Sequence, residues 1–177
     1  MTGVDLCQQS LDKAREFVTA NLVCEDVCSW LRRCAPGSYD FVSALNFVEH
    51  LEKDAVHDLF TEIRRVLVPG GSFVMMVPNA ISPYGTLTRY WDYTHEWAFT
   101  PNNFRQLASL TGFANRIDFQ ECGPLPHGVI SALRYAIWQV VRLGIALRLL
   151  LELADTKGGI YTMDMLVRLH APSVGAE

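Results

Sequence analysis

The 177-residue chain has no CxxC pair, no net basic charge, no apolar leader and no Gly-x-Gly element. Each absence narrows the field. Its five cysteines, Cys7, Cys24, Cys28, Cys34 and Cys122, are odd in number and lack metal-ligand spacing, so they read as free thiols of a reducing compartment. Cys24, Cys28 and Cys34 are poorly spaced for a zinc cluster. A net charge of −4 leaves no electrostatic footprint for nucleic acid. The opening MTGVDLCQQSLDKAREF holds no apolar core of a signal peptide, which points to the cytoplasm. Half the residues are hydrophobic and 19% are charged, which sets disorder aside and provides for a sizeable core.

Apolar residues are spaced as alternating strands and helices. Residues 3–5, GVD, read as the tail of a strand ending in an acid. Leu11, Ala14, Phe17 and Val18 share one face of a helix over 8–20. NLVCED, 21–26, reads as a short strand closing on two acids, and VCSWLRRCAPG as a short helix or turn stopped by Pro36 and Gly37. YDFVSAL, 39–45, has the aromatic and β-branched content of a strand buried on both faces. Val56, Leu59, Phe60, Ile63, Val66 and Leu67 mark the next helix, ended by Pro69, Gly70 and Gly71, and SFVMMVPN is the strand after it. Such alternation predicts parallel strands with crossover helices and ligands at the carboxyl ends of the strands. The polar residues at those ends are Asp5, Asp26, Asn46, Glu49, His50 and Asn79.

Residues 81–99 form a lid-like aromatic loop, a natural lid or substrate wall. TPNNFRQLASLTGF, 100–113, opens with a threonine cap and a proline at the first helical position, and ends at Gly112. ANRIDFQECG predicts a strand. Residues 128–154 predict a long helix in which Arg134, Arg142, Arg148 and Glu152 share a narrow arc and nearly all else is apolar. Such a helix is a core or dimer element, or lies in a membrane interface with its arginines towards phosphates. Three arginines argue against spanning. GGIYTMDMLVRLH, 158–170, predicts a closing strand and APSVGAE a tail, giving one domain over 1–177.

GVDLCQQSLDKAR, VCEDV, YDFVSALNFVEHL and RRVLVPGGSFVMMVPN occur in an order and spacing that resembles the class I S-adenosylmethionine-dependent methyltransferases, of the type 11 and type 23 group, from Gly3 to about Phe113. The resemblance implies an α/β fold, partly Rossmann-like, with a C-terminal antiparallel strand, and S-adenosylmethionine as cofactor. It implies that Asp5 binds the ribose hydroxyls, that Asp26 binds the adenine amino group, and that Asn46 also belongs to the cofactor site. The family's first strand and Gly-x-Gly loop have no counterpart among these residues. That implies an N-terminally incomplete domain, inactive as this chain, or a non-catalytic binding subunit of the same fold. A Rossmann-type nucleotide-sugar or dinucleotide enzyme shares the acid after the second strand, but LVPGG and the EH exit loop point away from it.

The remaining chemistry lies in NFVEH and DYTHEW. Some enzymes of this fold hold Mg²⁺ with Glu-x-x-Glu-His and a later histidine. Asn46 replaces the first of those carboxylates and removes charge that a hard cation wants, so no metal is expected. His95, beside Asp92 and Glu96, is the expected catalytic base, because an imidazole titrates near neutral pH. Glu49, His50, Tyr84, Tyr90, Trp91 and Tyr93 are expected to bind the acceptor. The reaction expected is O-methylation of a small molecule or of a glycan or lipid-linked acceptor. The long helix resembles an insertion in methyltransferases found with polysaccharide pathways. Nucleic acid is not an expected partner. Helix 128–154 is expected to make a peripheral membrane contact or a dimer contact, and the location is cytoplasmic or membrane-peripheral.

Overall fold

The computed structural model describes residues 1–156 and 159–173. Strands β1 (Thr2–Asp5), β2 (Asn21–Cys24), β3 (Tyr39–Leu45), β4 (Leu67–Pro78), β5 (Ile117–Glu121) and β6 (Asp164–His170) alternate with helices. The helices are α1 (Gln8–Ala14), α2 (Val27–Arg33), α3 (Lys53–Val66), α4 (Gly85–Trp91), α5 (Pro101–Thr111) and α6 (Val129–Leu153). Parallel pairing joins β1 to β2 and β3 to β4, while β6 runs against both its neighbours in the order β3-β4-β6-β5. This is the expected α/β, Rossmann-like arrangement with a C-terminal antiparallel strand.

The core follows from two periodicities. On α3, Val56, Leu59, Phe60, Ile63 and Val66 recur at helical spacing and are buried. On β4, Phe73, Met75 and Val77 alternate onto one face and are fully covered. Phe60 is the hub: its ring meets Phe73 edge-on at 5.4 Å, Phe113 at 6.3 Å and Phe104 of α5 at 6.4 Å. Each such side chain contributes about 1.5–3 kcal/mol by leaving water. A reciprocal capping box between Thr100 and Asn103 starts α5, and Gly112, with φ of 74°, ends it.

The turn expected at Pro69-Gly70-Gly71 lies inside β4. Helix α3 stops at Val66, Leu67 pairs with Tyr39, and the register shifts before Phe41 meets Ser72. Gly70 has φ of 77°, and a side chain at Gly71 would sit 2.9 Å from the Val68 carbonyl oxygen and 3.1 Å from that of Asp40. Both glycines are required there.

Other expectations are corrected. The helix foreseen over 8–20 ends at Ala14, and only Leu11 of its apolar face is buried, since Phe17 is 75% exposed. A two-stranded sheet is too narrow to cover a longer helix. The expected strand at 21–26 ends at Cys24. Part of the stretch 81–97 is helical rather than loop, as α4. The two-sided burial expected of β3 fails: Phe41 is 55% and Leu45 58% exposed. Its cause is position, because among the described residues β3 pairs with β4 alone and β1–β2 form a separate sheet. An edge strand lacks the neighbouring row that would cover its side chains. Helix α2 joins the two units by packing on α3, and Arg65 donates to the carbonyls of Leu31 at 2.6 Å and Cys34 at 2.8 Å. Part of the closing segment and the tail, residues 157–158 and 174–177, lie outside the described residues.

Candidate active site

The chain leaves β3 through Asn46, whose φ of 50° lies in the left-handed region that asparagine tolerates better than most residues. Its N–H is held by the Met76 carbonyl at 3.0 Å. A 3-10 turn, Val48–His50, follows and drives Glu49 inward until it is 1% exposed. Beyond β4, the buried Asn79 donates to the carbonyls of Ile160 and Thr162 and accepts from the N–H of Ile81. It therefore locks the sheet end to the C-terminal segment and has no free group for a ligand.

The aromatic segment is fastened to this framework. The N–H groups of Glu96 and Trp97 donate to the Glu49 carbonyl, and Trp97 Nε1 donates to that of Leu51. Phe99 and Pro78 are joined through backbone, and Arg89 donates to the His95 carbonyl. A cavity of about 400 Å³ results, walled by Asn46, Glu49, His50, Pro78, Thr88, Trp91, Asp92, His95, Met163 and Asp164.

Hydrogen bonding sets the state of both imidazoles. His95 Nδ1 lies 2.8 Å from the Thr88 carbonyl, an acceptor only, so Nδ1 carries a proton and Nε2 is the nitrogen left bare in the neutral tautomer. The Thr94 hydroxyl donates to Asp92 Oδ1 at 2.7 Å and so accepts from His50 Nδ1 at 2.8 Å. His50 Nε2 is bare by the same logic. The N–H and hydroxyl of Thr94 hold the Asp92 carboxyl below its usual range, which anchors this chain of bonds on an anion. The rings of His50 and His95 meet edge-on at 4.8 Å.

Two carboxyls on the cavity wall behave oppositely to Asp92. Burial pushes Glu49 up, with the nearby His50 and His95 pulling it back, and its Oε2 has no hydrogen-bond partner. Burial likewise pushes Asp164 up. Glu49, His50 and His95 each offer one ligand atom within 4.8 Å of the others, a spacing that suits one cation as well as a hydroxyl-bearing molecule.

Of the residues singled out in the sequence, the cavity gathers Asn46, Glu49, His50, Trp91 and His95. Tyr84, Tyr90 and Tyr93 stay outside it and are exposed; Tyr90 borders a second hollow of about 320 Å³ with Arg89, Glu96 and Trp97. Asp5 and Asp26 sit at the carboxyl end of the separate β1–β2 pair. Asp5 Oδ1 accepts the Cys7 N–H at 2.6 Å, and Asp26 caps α2 by accepting from the Ser29 N–H at 2.7 Å. Sequence reasoning missed Thr88 and Asp164 as wall residues. Asp164 opens β6 opposite Pro78, a placement set by antiparallel register rather than by any local pattern.

Residues 1–75 match a family described as a methyltransferase domain. No curated protein sequence matches the chain. Among solved structures, an S-adenosylmethionine-dependent methyltransferase of Archaeoglobus fulgidus is similar, with 19% identity, a TM-score of 0.66 and coverage of 96% of this chain and 75% of that one. A Thermotoga maritima S-adenosylmethionine-dependent methyltransferase has 13% identity, a TM-score of 0.63 and coverage of 96% and 72%. Haemonchus contortus phosphoethanolamine N-methyltransferase 2, in complex with S-adenosyl-L-methionine, has 19% identity, a TM-score of 0.57 and coverage of 97% and 43%. Residues 1–75 thus resemble a methyltransferase domain, and over nearly its whole length the chain has the fold of class I S-adenosylmethionine-dependent methyltransferases.

Proposed function

We propose that the chain acts in methyl transfer from S-adenosylmethionine to an oxygen of a small molecule or of a glycan or lipid-linked acceptor. The observation that carries this reading is the bond from His95 Nδ1 to the Thr88 carbonyl in the cavity wall, which leaves Nε2 as the nitrogen that can accept a proton. The acids at the strand ends fit the cofactor. The Asp5 carboxylate, with one oxygen on Cys7, keeps its other for a ribose hydroxyl. Asp26 stands two residues beyond Cys24, the register partner of Asp5, and would meet the adenine amino group, with Asn46 nearer the acceptor cavity. When bound, the cofactor supplies an electrophilic methyl carbon on a sulfonium. His95 Nε2 takes the hydroxyl proton of the acceptor. Glu49 and His50 grip the acceptor, rather than a metal, and Trp91 walls it. Tyr84, Tyr90 and Tyr93 would serve a larger acceptor that reaches beyond the cavity.

Calorimetric titration of the chain with S-adenosylhomocysteine, repeated with Asp5→Ala, tests the reading. Micromolar binding that the variant loses supports it. Because the chain has no Gly-x-Gly element, weak binding by this chain alone is expected. No binding by a folded chain would end independent catalysis and favour a non-catalytic subunit of the same fold.

A further inference from the structure

The cavity of about 400 Å³ is one-sided in charge. Among the described residues, three carboxyl side chains, Glu49, Asp92 and Asp164, stand in its wall, and no lysine or arginine does. Arg89 of α4 is committed elsewhere: it donates to the His95 carbonyl, lies over the Tyr90 ring and borders the second hollow. Asp92 is spent on Thr94, whose N–H and hydroxyl both reach its Oδ1. The other two carboxyls are not spent. Among the described residues the Asp164 carboxylate makes no hydrogen bond or ion pair, and it is charge at a distance, from His95, that acts on it. Glu49 is 1% exposed and its Oε2 has no partner.

A carboxylate taken out of water is costly unless something positive meets it. The groups beside Glu49 add acceptors, not donors. His50 and His95 each spend Nδ1 on an oxygen, so in their neutral rings the remaining nitrogen is a lone pair. One ligand atom from each of Glu49, His50 and His95 falls within 4.8 Å of the others. A hydroxyl has a single donor to offer such a group, whereas a protonated primary amine has three. Two N–H bonds of about 2.8 Å at the tetrahedral angle hold their acceptors about 4.6 Å apart, which this spacing admits. Trp91 in the same wall adds an indole, whose face attracts a cation.

We propose that the acceptor is a vicinal amino alcohol, a class that includes the 2-amino sugars, with its ammonium held by Glu49, His50 and Asp164 and its hydroxyl placed at His95. The role of the hydroxyl rests on the methyl-transfer reading above; the cation site itself needs no cofactor. An ammonium has no lone pair, so it anchors the molecule, and the oxygen on the next carbon is left to receive the methyl group. The same cation gives the buried Glu49 carboxylate the partner that the protein withholds. A divalent metal ion is the other cation these atoms could take, and the test includes it.

Amide chemical shifts of the isotope-labelled full chain, titrated near neutral pH and at constant ionic strength with glycerol and with serinol, test it. Serinol is glycerol with an ammonium in place of the central hydroxyl. It is expected to shift the amides of Asn46, Glu49, His50 and Asp164 with a dissociation constant about tenfold or more below that of glycerol. Glu49→Gln keeps the shape and removes the charge, so it should raise the serinol constant about tenfold and leave that of glycerol unchanged. Asp164→Asn should act in the same direction, more weakly. Equal affinity for the two probes, or a serinol affinity indifferent to Glu49→Gln, would overturn the proposal. So would Mg²⁺ or Zn²⁺ chloride moving these amides in a Glu49-dependent way while serinol does not. Titration with S-adenosylhomocysteine separates the two readings. A chain that binds serinol but not S-adenosylhomocysteine ends independent methyl transfer and keeps the cation site, and the reverse result removes the cation site alone.

Discussion

The β1–α1–β2–α2 segment and the four-stranded unit are made from the same alternation of strands and helices, yet they are covered very differently. In the first, Leu11 and Leu31 are the buried hydrophobic side chains. In the second, Phe60, Phe73, Phe104, Met75, Met165, Val167 and Leu169 are closed off completely. Local pattern is similar in the two, so cover comes from neighbours: β4 has a strand on each side and helices against it, whereas among the described residues β1 has β2 alone. The division also separates chemistry. The acids assigned to the cofactor sit on the thin unit, and the imidazoles and buried carboxyls sit on the dense one. A ligand gripping Asp5 and Asp26 would therefore stabilise the part that most needs it.

Phe60→Ala should have the largest effect on this contrast. It empties the hub shared by α3, α5 and β4 and is expected to cost about 3–5 kcal/mol, read as a lower midpoint in urea unfolding. Protection of β1 amides from hydrogen exchange should fall far less than that of β4 amides, because a sparsely buried two-stranded pair is expected to exchange through local opening in the wild type too. Equal protection of the two sheets in the wild type would remove the distinction drawn above.

Glu49→Gln should act in the opposite direction. The folded-state pKa of Glu49 lies above its unfolded value, so the associated stability is present below the unfolded pKa and is lost as pH rises through the folded one. Near neutral pH the amide, free of an unpartnered buried charge, is expected to gain about 1–3 kcal/mol over wild type. The gain should vanish in acid. Thermal melts across pH check it, and a variant less stable at neutral pH would mean that Oε2 has a partner.

The two helix caps give a matched, smaller pair. Asp26→Ala and Thr100→Ala each remove a side chain that accepts a backbone N–H at a helix start, worth about 1 kcal/mol. Thr100→Ala should lower the global melting temperature, and Asp26→Ala should mainly speed exchange in α2 and β2. The smallest effect is expected at Asp118. His170 Nε2, 2.7 Å away, holds its carboxyl below the usual range, so its contribution is present above the unfolded pKa and lost as pH falls through the folded one. Asp118→Asn should flatten the acid limb of the stability profile and leave the neutral region almost unchanged.

Much of this was legible in the chain because it depends on local spacing. The α3 stripe, the cap and glycine stop of α5, and the buried run of β4 follow from residues a few positions apart. The failures share a different cause. Phe17 and Val18 have helical spacing, but among the described residues only the narrow β1–β2 pair lies against α1, too little to reward a longer helix. The run in β3 states what Phe41 and Leu45 prefer, and not whether a strand stands beside them. In the cavity, His95 and Glu49 stood out as residue types in a promising loop. Asp164 enters only because antiparallel register sets it against Pro78, a relation between distant positions that no local pattern contains. The protonated nitrogen of His95 was equally hidden, since Thr88 contributes a backbone carbonyl.

The fastening of the aromatic segment bears on how molecules come and go. A swinging flap around the cavity would have to release the bonds of Glu96, Trp97 and Phe99 to the framework, together with the His50–Thr94 link. Traffic is easier past the wall at Trp91, which is 74% exposed, than through a moving door. Exchange at such a rim is limited by diffusion and side-chain rotation, on the nanosecond scale of exposed groups rather than the slower scale of hinged closure. The cavity would then equilibrate rapidly with its surroundings, and any selectivity would be set by its shape at the moment of entry.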